Sequence, residues 1–396
     1  MQFRLLLSLV PFAIACSDQT NAMPTQENTF TAVVGSIVGG DTAPVRGSDG
    51  ASHVVYELEL TNAKAVPATI DRIDVLNFDD GATILTLTGD ALVAALHTMN
   101  AQAAPSNLIP PNEARLLFVD MDFASDDAAP RRLKHRLAGT GATSPASREP
   151  SPIQYELTPY DISRKDPPSF IRPMTGPGWL ASNGCCDVGG AHRGAIQSVN
   201  GELWDSQRFA IDWLRVDEQG RLVAGDPADL HNWVGYGEPI LAAEDGVVIQ
   251  ARDGLPDQTP GTLPDPRTIT IETIDGNSVV IDHGNDVFSF YAHLVTGSVA
   301  VRVGDRVQAG QQIGLLGNSG NTSAPHLHFH VMTGPSPLGS DGIPYVFEHF
   351  VRTQRIDAAQ FDRALDGGRI DPPSGPSVTA VNALPLSFDV IDFGGG

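Results

Sequence analysis

Residues 323–334 read SAPHLHFHVMTG and place His326, His328 and His330 at alternate positions of a short apolar run. In an extended strand, residues two apart share a face and stand ~6.5 Å from each other. Three imidazoles would then line one side, with Leu327, Phe329 and Val331 on the other. Imidazoles that became charged together would repel, so a satisfied polar row on a sheet surface explains the spacing poorly. A metal ion that holds the rings neutral explains it better. Zinc at a hydrolytic site takes three protein ligands and leaves its fourth position to water. It lowers the pKa of that water toward about 7 and polarises a carbonyl, while nearby imidazoles move the proton and support the developing oxyanion.

The rest of the chain must position such a row. Its 396 residues include 40 Gly and 30 Pro, with 7% aromatics, which describes turn-rich β-structure. That length accommodates two domains. A net charge of -22 argues against a nucleic-acid partner and against an electrostatic grip on anionic lipid. The opening MQFRLLLSLVPFAIAC has one positive residue, Arg4, and an apolar stretch too short to span a bilayer. It reads as a secretory signal. Its end, AIAC, resembles a bacterial lipobox, so Cys16 is expected to carry lipid and hold the protein at a membrane of the cell envelope. Cys185 and Cys186 are adjacent, and outside the cytoplasm they are expected either to bond to each other or to remain thiols.

Alternation marks a first domain. In VVYELELTN, Val55, Glu57 and Glu59 alternate with Tyr56, Leu58 and Leu60, the pattern of a half-buried strand. About seven such runs across 29–160 predict an immunoglobulin-like β-sandwich, with GDALVAALHTMN as its helical piece. The expected organisation is a signal peptide over 1–16, linker 17–28, sandwich 29–160, linker 161–177, an antiparallel β-sheet catalytic domain over 178–350 and an extension over 351–396. Within the second domain, RTITIETIDGNSVVIDHGNDVFSFYAHL reads as strands around turns at Asp275-Gly276 and His283-Gly284.

The blocks GNSVVIDHGNDVFSFYAHL, VRVGDRVQAGQQIGLLGNSG and APHLHFHV resemble those of the M23 (LytM-type) zinc metallopeptidases, which cut peptide cross-links in bacterial cell walls. The resemblance spans roughly residues 205 to 335. It implies that His328 ligates zinc, that His326 faces the catalytic water, and that His293, from YAHL, shares its task. The remaining ligands of that family are a His and an Asp four residues apart. In QRFAIDWLRVD, Asp212 matches the Asp, but Arg208 occupies the His position. A guanidinium has no lone pair to give a metal. Strand alternation would place Arg208 on the face of Asp212, where it would pair with that carboxylate.

A third ligand must then come from elsewhere, or the site is inactive. His192 is the leading candidate, because HRGAIQSVNGELWDSQRFAID reads as two strands about an Asn200-Gly201 turn. A two-residue turn pairs His192 with Phe209 on the wrong face, and one bulge or a longer loop corrects it. A subset of M23-like sequences with an upstream His-Arg and a downstream RFAIDW is similar. His231 is the rival ligand, His330 is read as supporting, His283 as structural, and His349 has no role.

Two other readings compete. A catalytically inactive LytM-like factor that regulates another wall hydrolase accounts for Arg208, but not for His293, His326, His328 and Asp212 together. A biotinyl or lipoyl carrier needs a lysine in its hairpin, and Lys64, Lys134 and Lys165 all lie upstream of VRVGDRVQAGQQIG. The expectation is a zinc-dependent endopeptidase acting on peptidoglycan, with His192, Asp212 and His328 as ligands and His293 and His326 as catalytic groups.

Overall fold

The alternation of SHVVYELELTN forms the strand Ser52–Asn62, paired antiparallel with Ala114–Phe123 along nearly its whole length. A computed structural model describes residues 28–40, 42–187 and 190–394. The expected signal peptide, Cys16 and nearly all of the linker 17–28 lie outside the described residues. Two antiparallel sheets of five strands each occupy Val33 to Asp161. Val54, Tyr56 and Leu58 of one meet Ile70, Ile73, Leu133 and Leu137 of the other in a shared core. Each such side chain contributes roughly 1.5–3 kcal/mol when withdrawn from water. The helix predicted in GDALVAALHTMN is short, Gly89–Ala95, and gives way at Leu96 to a strand.

An eleven-stranded sheet, with two separate two-stranded ribbons, builds most of the rest. Its centre runs Trp179–Ser182, Ile211–Arg215, Leu327–Met332, Phe288–Leu294, Asn277–Asp282 and Gly246–Arg252, neighbours in that order and all antiparallel. Alternation sorts the faces. Ile211, Trp213, Leu327, Phe329 and Val331 point into one core with Tyr345 and Phe347. Asp212, His328 and His330 therefore take the opposite face.

The sheet also passes through parts of the chain read above as linker and extension. Ser169–Phe170 pairs with Val346–Phe347, and Asp389–Asp392 inserts between Val346–Arg355 and Trp179–Ser182. The helix Ala358–Leu365 is capped by the Asp357 carboxylate, which accepts from the Gln360 amide at 2.8 Å. Sandwich and sheet are joined: Gly47 bridges Leu384, Ser48 Oγ donates to the Asp389 carboxylate, and Thr31 onward forms one compact unit. Among the described residues, no helix is long and apolar enough to cross a membrane.

The strand expected in RTITIET does not form. Asn277–Asp282 is already paired on both sides, by Gly246–Arg252 and Phe288–Leu294, which leaves no edge for it. The Thr270 amide bonds instead to Thr273 Oγ1 at 2.9 Å in a local turn, and Ile271 stays 60% exposed.

Candidate metal and catalytic site

Antiparallel register sets Asp212 directly opposite His328, with Ala292 on the other flank of His328. Asp212 Oδ1 lies 3.0 Å from His328 Nδ1, 3.2 Å from His192 Nε2 and 3.2 Å from His326 Nε2. Its other oxygen accepts from Asn183 Nδ2 at 2.8 Å. One donor atom each from His192, Asp212 and His328 lies within 4.8 Å of the other two. His293 packs its ring 4.7 Å from that of His326, and all five residues line one cleft of about 430 Å³.

His192 arrives differently from the sequence expectation. The hairpin about Asn200-Gly201 exists, both turn residues at positive φ, but it pairs only Gln197–Val199 with Glu202–Trp204. Beyond it the strands separate. His192 sits in a turn over residues 191–194, and its Nδ1 donates to the Ala210 carbonyl at 3.0 Å. No bulge is needed to bring it to Asp212.

Arg208 corrects a second expectation. Residues 206–209 form a turn, so strand alternation does not govern them, and Arg208 points away from Asp212. Its Nη2 and Nε each lie 2.7 Å from Glu57 Oε2 of the sandwich, and Nε donates to Asp205 Oδ2 at 3.1 Å. Arg193, next to His192, donates from Nε to Glu57 Oε1 at 2.8 Å and from Nη2 to the Val119 carbonyl at 2.7 Å. Burial opposes ionisation of Glu57, and the two guanidiniums outweigh it and hold its carboxyl below the ordinary range. The same burial, with Glu57 beside it, pushes Asp205 well up.

The hydrogen bonds assign the histidine tautomers. His192 and His326 each donate Nδ1–H to a backbone carbonyl, of Ala210 and of Ala324 at 2.8 Å, so each turns an Nε2 lone pair toward Asp212. His328 sets Nε2 2.9 Å from His330 Nδ1; with its proton there, Nδ1 presents a lone pair to the same carboxylate. Ring nitrogens that converge on a carboxylate need positive charge between them, ring protons in the metal-free site or a metal ion, and two imidazoles with one carboxylate are a donor set that fits a divalent metal. His330 is fully buried with Nε2 unbonded, and it serves as the partner that orients His328.

His293 was legible as a residue but not in its conformation. Its φ is +62°, the left-handed region that costs a non-glycine residue about 1 kcal/mol or more. Its amide donates to the Asp275 carbonyl at 3.1 Å and its Nδ1–H to Ser319 O at 2.7 Å, which turns Nε2 to the cleft. His231 is exposed beside Tyr236, His283 bridges Asp245 O and Ser289 Oγ, and His349 is exposed on its strand. Cys185 and Cys186 are bonded to each other, which removes Cys186 as a ligand from a second cluster with His53 and Asp120.

Protonation of the buried histidines, those of the metal-free site and His135 of the sandwich strand Arg132–Gly141, pulls stability both ways. Burial works against the imidazolium at His192 and His326, but the Asp212 carboxylate outweighs it and raises both. Burial pushes His328 and His135 down to about 4 and lowers His293 and His330 strongly. Below the unfolded value near 6.5, the unfolded chain binds protons that these four refuse, costing up to roughly 1.4 kcal/mol per group per pH unit. His192 and His326 act oppositely, adding stability that is lost as pH rises through their folded values, and the raised carboxyls of Asp120, Asp205 and Asp275 act in the same sense. In urea unfolding, His135→Gln should therefore lose less stability than wild type between pH 7 and pH 4.5; an equal loss would contradict a buried neutral ring.

Comparison with known proteins follows the same blocks. Residues 232–339 match the family model of Peptidase family M23. This M23 segment holds His293, His326 and His328, while Asp212 and His192 precede it. The peptidoglycan DD-endopeptidase ShyA of Vibrio cholerae serotype O1 is 33% identical over 150 residues, 34% of this chain and 30% of that protein. The glycyl-glycine endopeptidase ALE-1 of Staphylococcus capitis is 46% identical over 74 residues, 18% of this chain and 20% of that one. The chain thus spans less than a third of the length of these curated relatives. The catalytic domain of lysostaphin from Staphylococcus simulans aligns with 42% of this chain and 88% of its own, at 21% identity and a TM-score of 0.24.

Proposed function

We propose that the chain is a zinc-dependent endopeptidase that hydrolyses peptide cross-links of bacterial peptidoglycan. The observation that carries this reading is the convergence of His192, Asp212 and His328 within 4.8 Å, in a cleft that also holds His293 and His326. The M23 segment and a relative named as a peptidoglycan DD-endopeptidase support the same chemistry. Zinc, when bound, supplies Lewis acidity to a carbonyl and acidifies water. The chain's own groups do the rest. His192 Nε2, Asp212 Oδ1 and His328 Nδ1 would hold the ion. His326, fixed by its bond to Ala324 O, keeps a lone pair at Nε2 as general base. His293, with Nδ1 bonded to Ser319 O, stands across from it to take or return a proton at Nε2 and support the oxyanion.

Arg208, the residue that favoured an inactive regulator, is spent on Glu57 instead of occupying the cleft. In this reading the chain falls within the subset having an upstream His-Arg and RFAIDW, where the turn histidine supplies the third ligand. The export signal and lipid-bearing Cys16 would hold the site in the bacterial cell envelope, which the mass of the mature N-terminus tests.

The reading predicts that wild-type protein releases soluble fragments from purified peptidoglycan, that a chelator stops it and that zinc restores it. His326→Ala should keep its zinc and lose about 10²- to 10⁴-fold in kcat. Wild-type turnover in that variant would remove His326 from the chemistry.

A further inference from the structure

Asp275 is a carboxyl on the wall of the cleft that the zinc and histidine chemistry leaves unused. It lines the cavity with His293, Asn321 and Thr322, yet is only 7% exposed. Among the described residues, its carboxylate has no hydrogen-bond donor and no ion-pair partner; its backbone carbonyl alone is engaged, by the His293 amide. Arg252 is the cation whose charge reaches it, and that guanidinium donates to the Glu272 carbonyl. Burial pushes Asp275 up to about 7, as expected of a carboxyl stripped of water and given no partner. A largely buried carboxyl that faces a cleft and meets no protein donor calls for an explanation, and the ordinary one is a ligand.

The position is rigid. Gly276 has φ +64°, and a Cβ there would stand 2.2 Å from Ser319 O, so the Asp275 loop lies backbone to backbone against the loop that anchors His293. The cleft is otherwise lined by neutral side chains, histidines and apolar groups such as Leu263, Phe361 and Leu365, with no lysine or arginine. Once a divalent ion neutralises Asp212, Asp275 is the acidic group that remains on that wall.

We propose that Asp275 forms a subsite for a primary ammonium group of the peptide substrate, beside the catalytic His293. This rests on the hydrolase reading above and adds to it a substrate class, a peptide whose free amine lies close to the scissile bond. An ammonium supplies the donors that Asp275 lacks, and the cation that ionises it.

The test uses full-length protein and cross-linked peptide with each primary amine either free or acetylated. Zinc-loaded wild type should prefer one free-amine form by roughly tenfold or more in kcat/KM. Asp275→Asn should collapse that ratio toward one, and Asp275→Glu should recover part of it. A ratio unchanged in Asp275→Asn overturns the proposal, including the case where both substrates slow equally, which would make Asp275 a proton donor or a structural group. Calorimetry of the same peptides with metal-free protein supplies an arm independent of turnover. There, wild type should bind the free amine more tightly and Asp275→Asn should not discriminate. Loss of all hydrolysis with this discrimination intact would defeat the hydrolase reading and leave the subsite standing.

Discussion

Replacing Glu57 by Ala is expected to cost roughly 3–5 kcal/mol of stability, the range for removing one partner of a buried ion pair. Glu57 is fully buried on the strand Ser52–Asn62 and holds both Arg193 and Arg208, themselves 3% and 1% exposed. Without it, Arg193 loses its ion-pair partner and Arg208 keeps only that with Asp205, both guanidiniums out of water. The effect should reach the metal site, because Arg193 adjoins His192 and Arg208 belongs to the turn that leads into Asp212. Urea unfolding should show the loss, and zinc titration of the folded variant should show weaker binding. Stability within about 1 kcal/mol of wild type would contradict the clamp. The sandwich, by this account, does more than tether the catalytic sheet: it fixes the segment that carries one proposed ligand.

The second large effect is expected at His192. Removing it leaves Asp212 and His328, two donors where a hydrolytic zinc site uses three. Loss of a group that merely orients a ligand already costs 10- to 100-fold in metal affinity, and loss of a ligand should exceed about 100-fold. Hydrolysis should fall with occupancy. His192→Ala also frees the buried Ala210 carbonyl, but His192 lines the cleft, so the space its ring leaves admits water to that atom. The fold should therefore survive, as a cooperative urea transition would show. Hydrolysis at the wild-type rate would exclude His192 as a ligand.

What could be seen in the sequence follows from the range of the forces involved. The alternation of PHLHFHV is local, and it correctly separates Leu327, Phe329 and Val331 from the histidines. The pairing of Asp212 with His328 bridges 116 residues and came from family resemblance, since no local pattern encodes register over that distance. The same alternation failed at Arg208, where a turn over 206–209 breaks the period, and at RTITIET, where the sheet had no free edge. Glu57 read as the polar face of a half-buried strand. Its burial depends on a second domain covering that face, a tertiary event invisible in the strand's own pattern. The left-handed His293 and the unpartnered Asp275 likewise exist only once the 274–276 and 319–320 loops meet, which Gly276 permits.

The most direct test is the zinc content of the purified chain, wild type and His192→Ala side by side, after dialysis against metal-free buffer. The account predicts one tightly held zinc per wild-type chain and none retained by the variant. A full zinc complement in the variant, or none in the wild type, would contradict it.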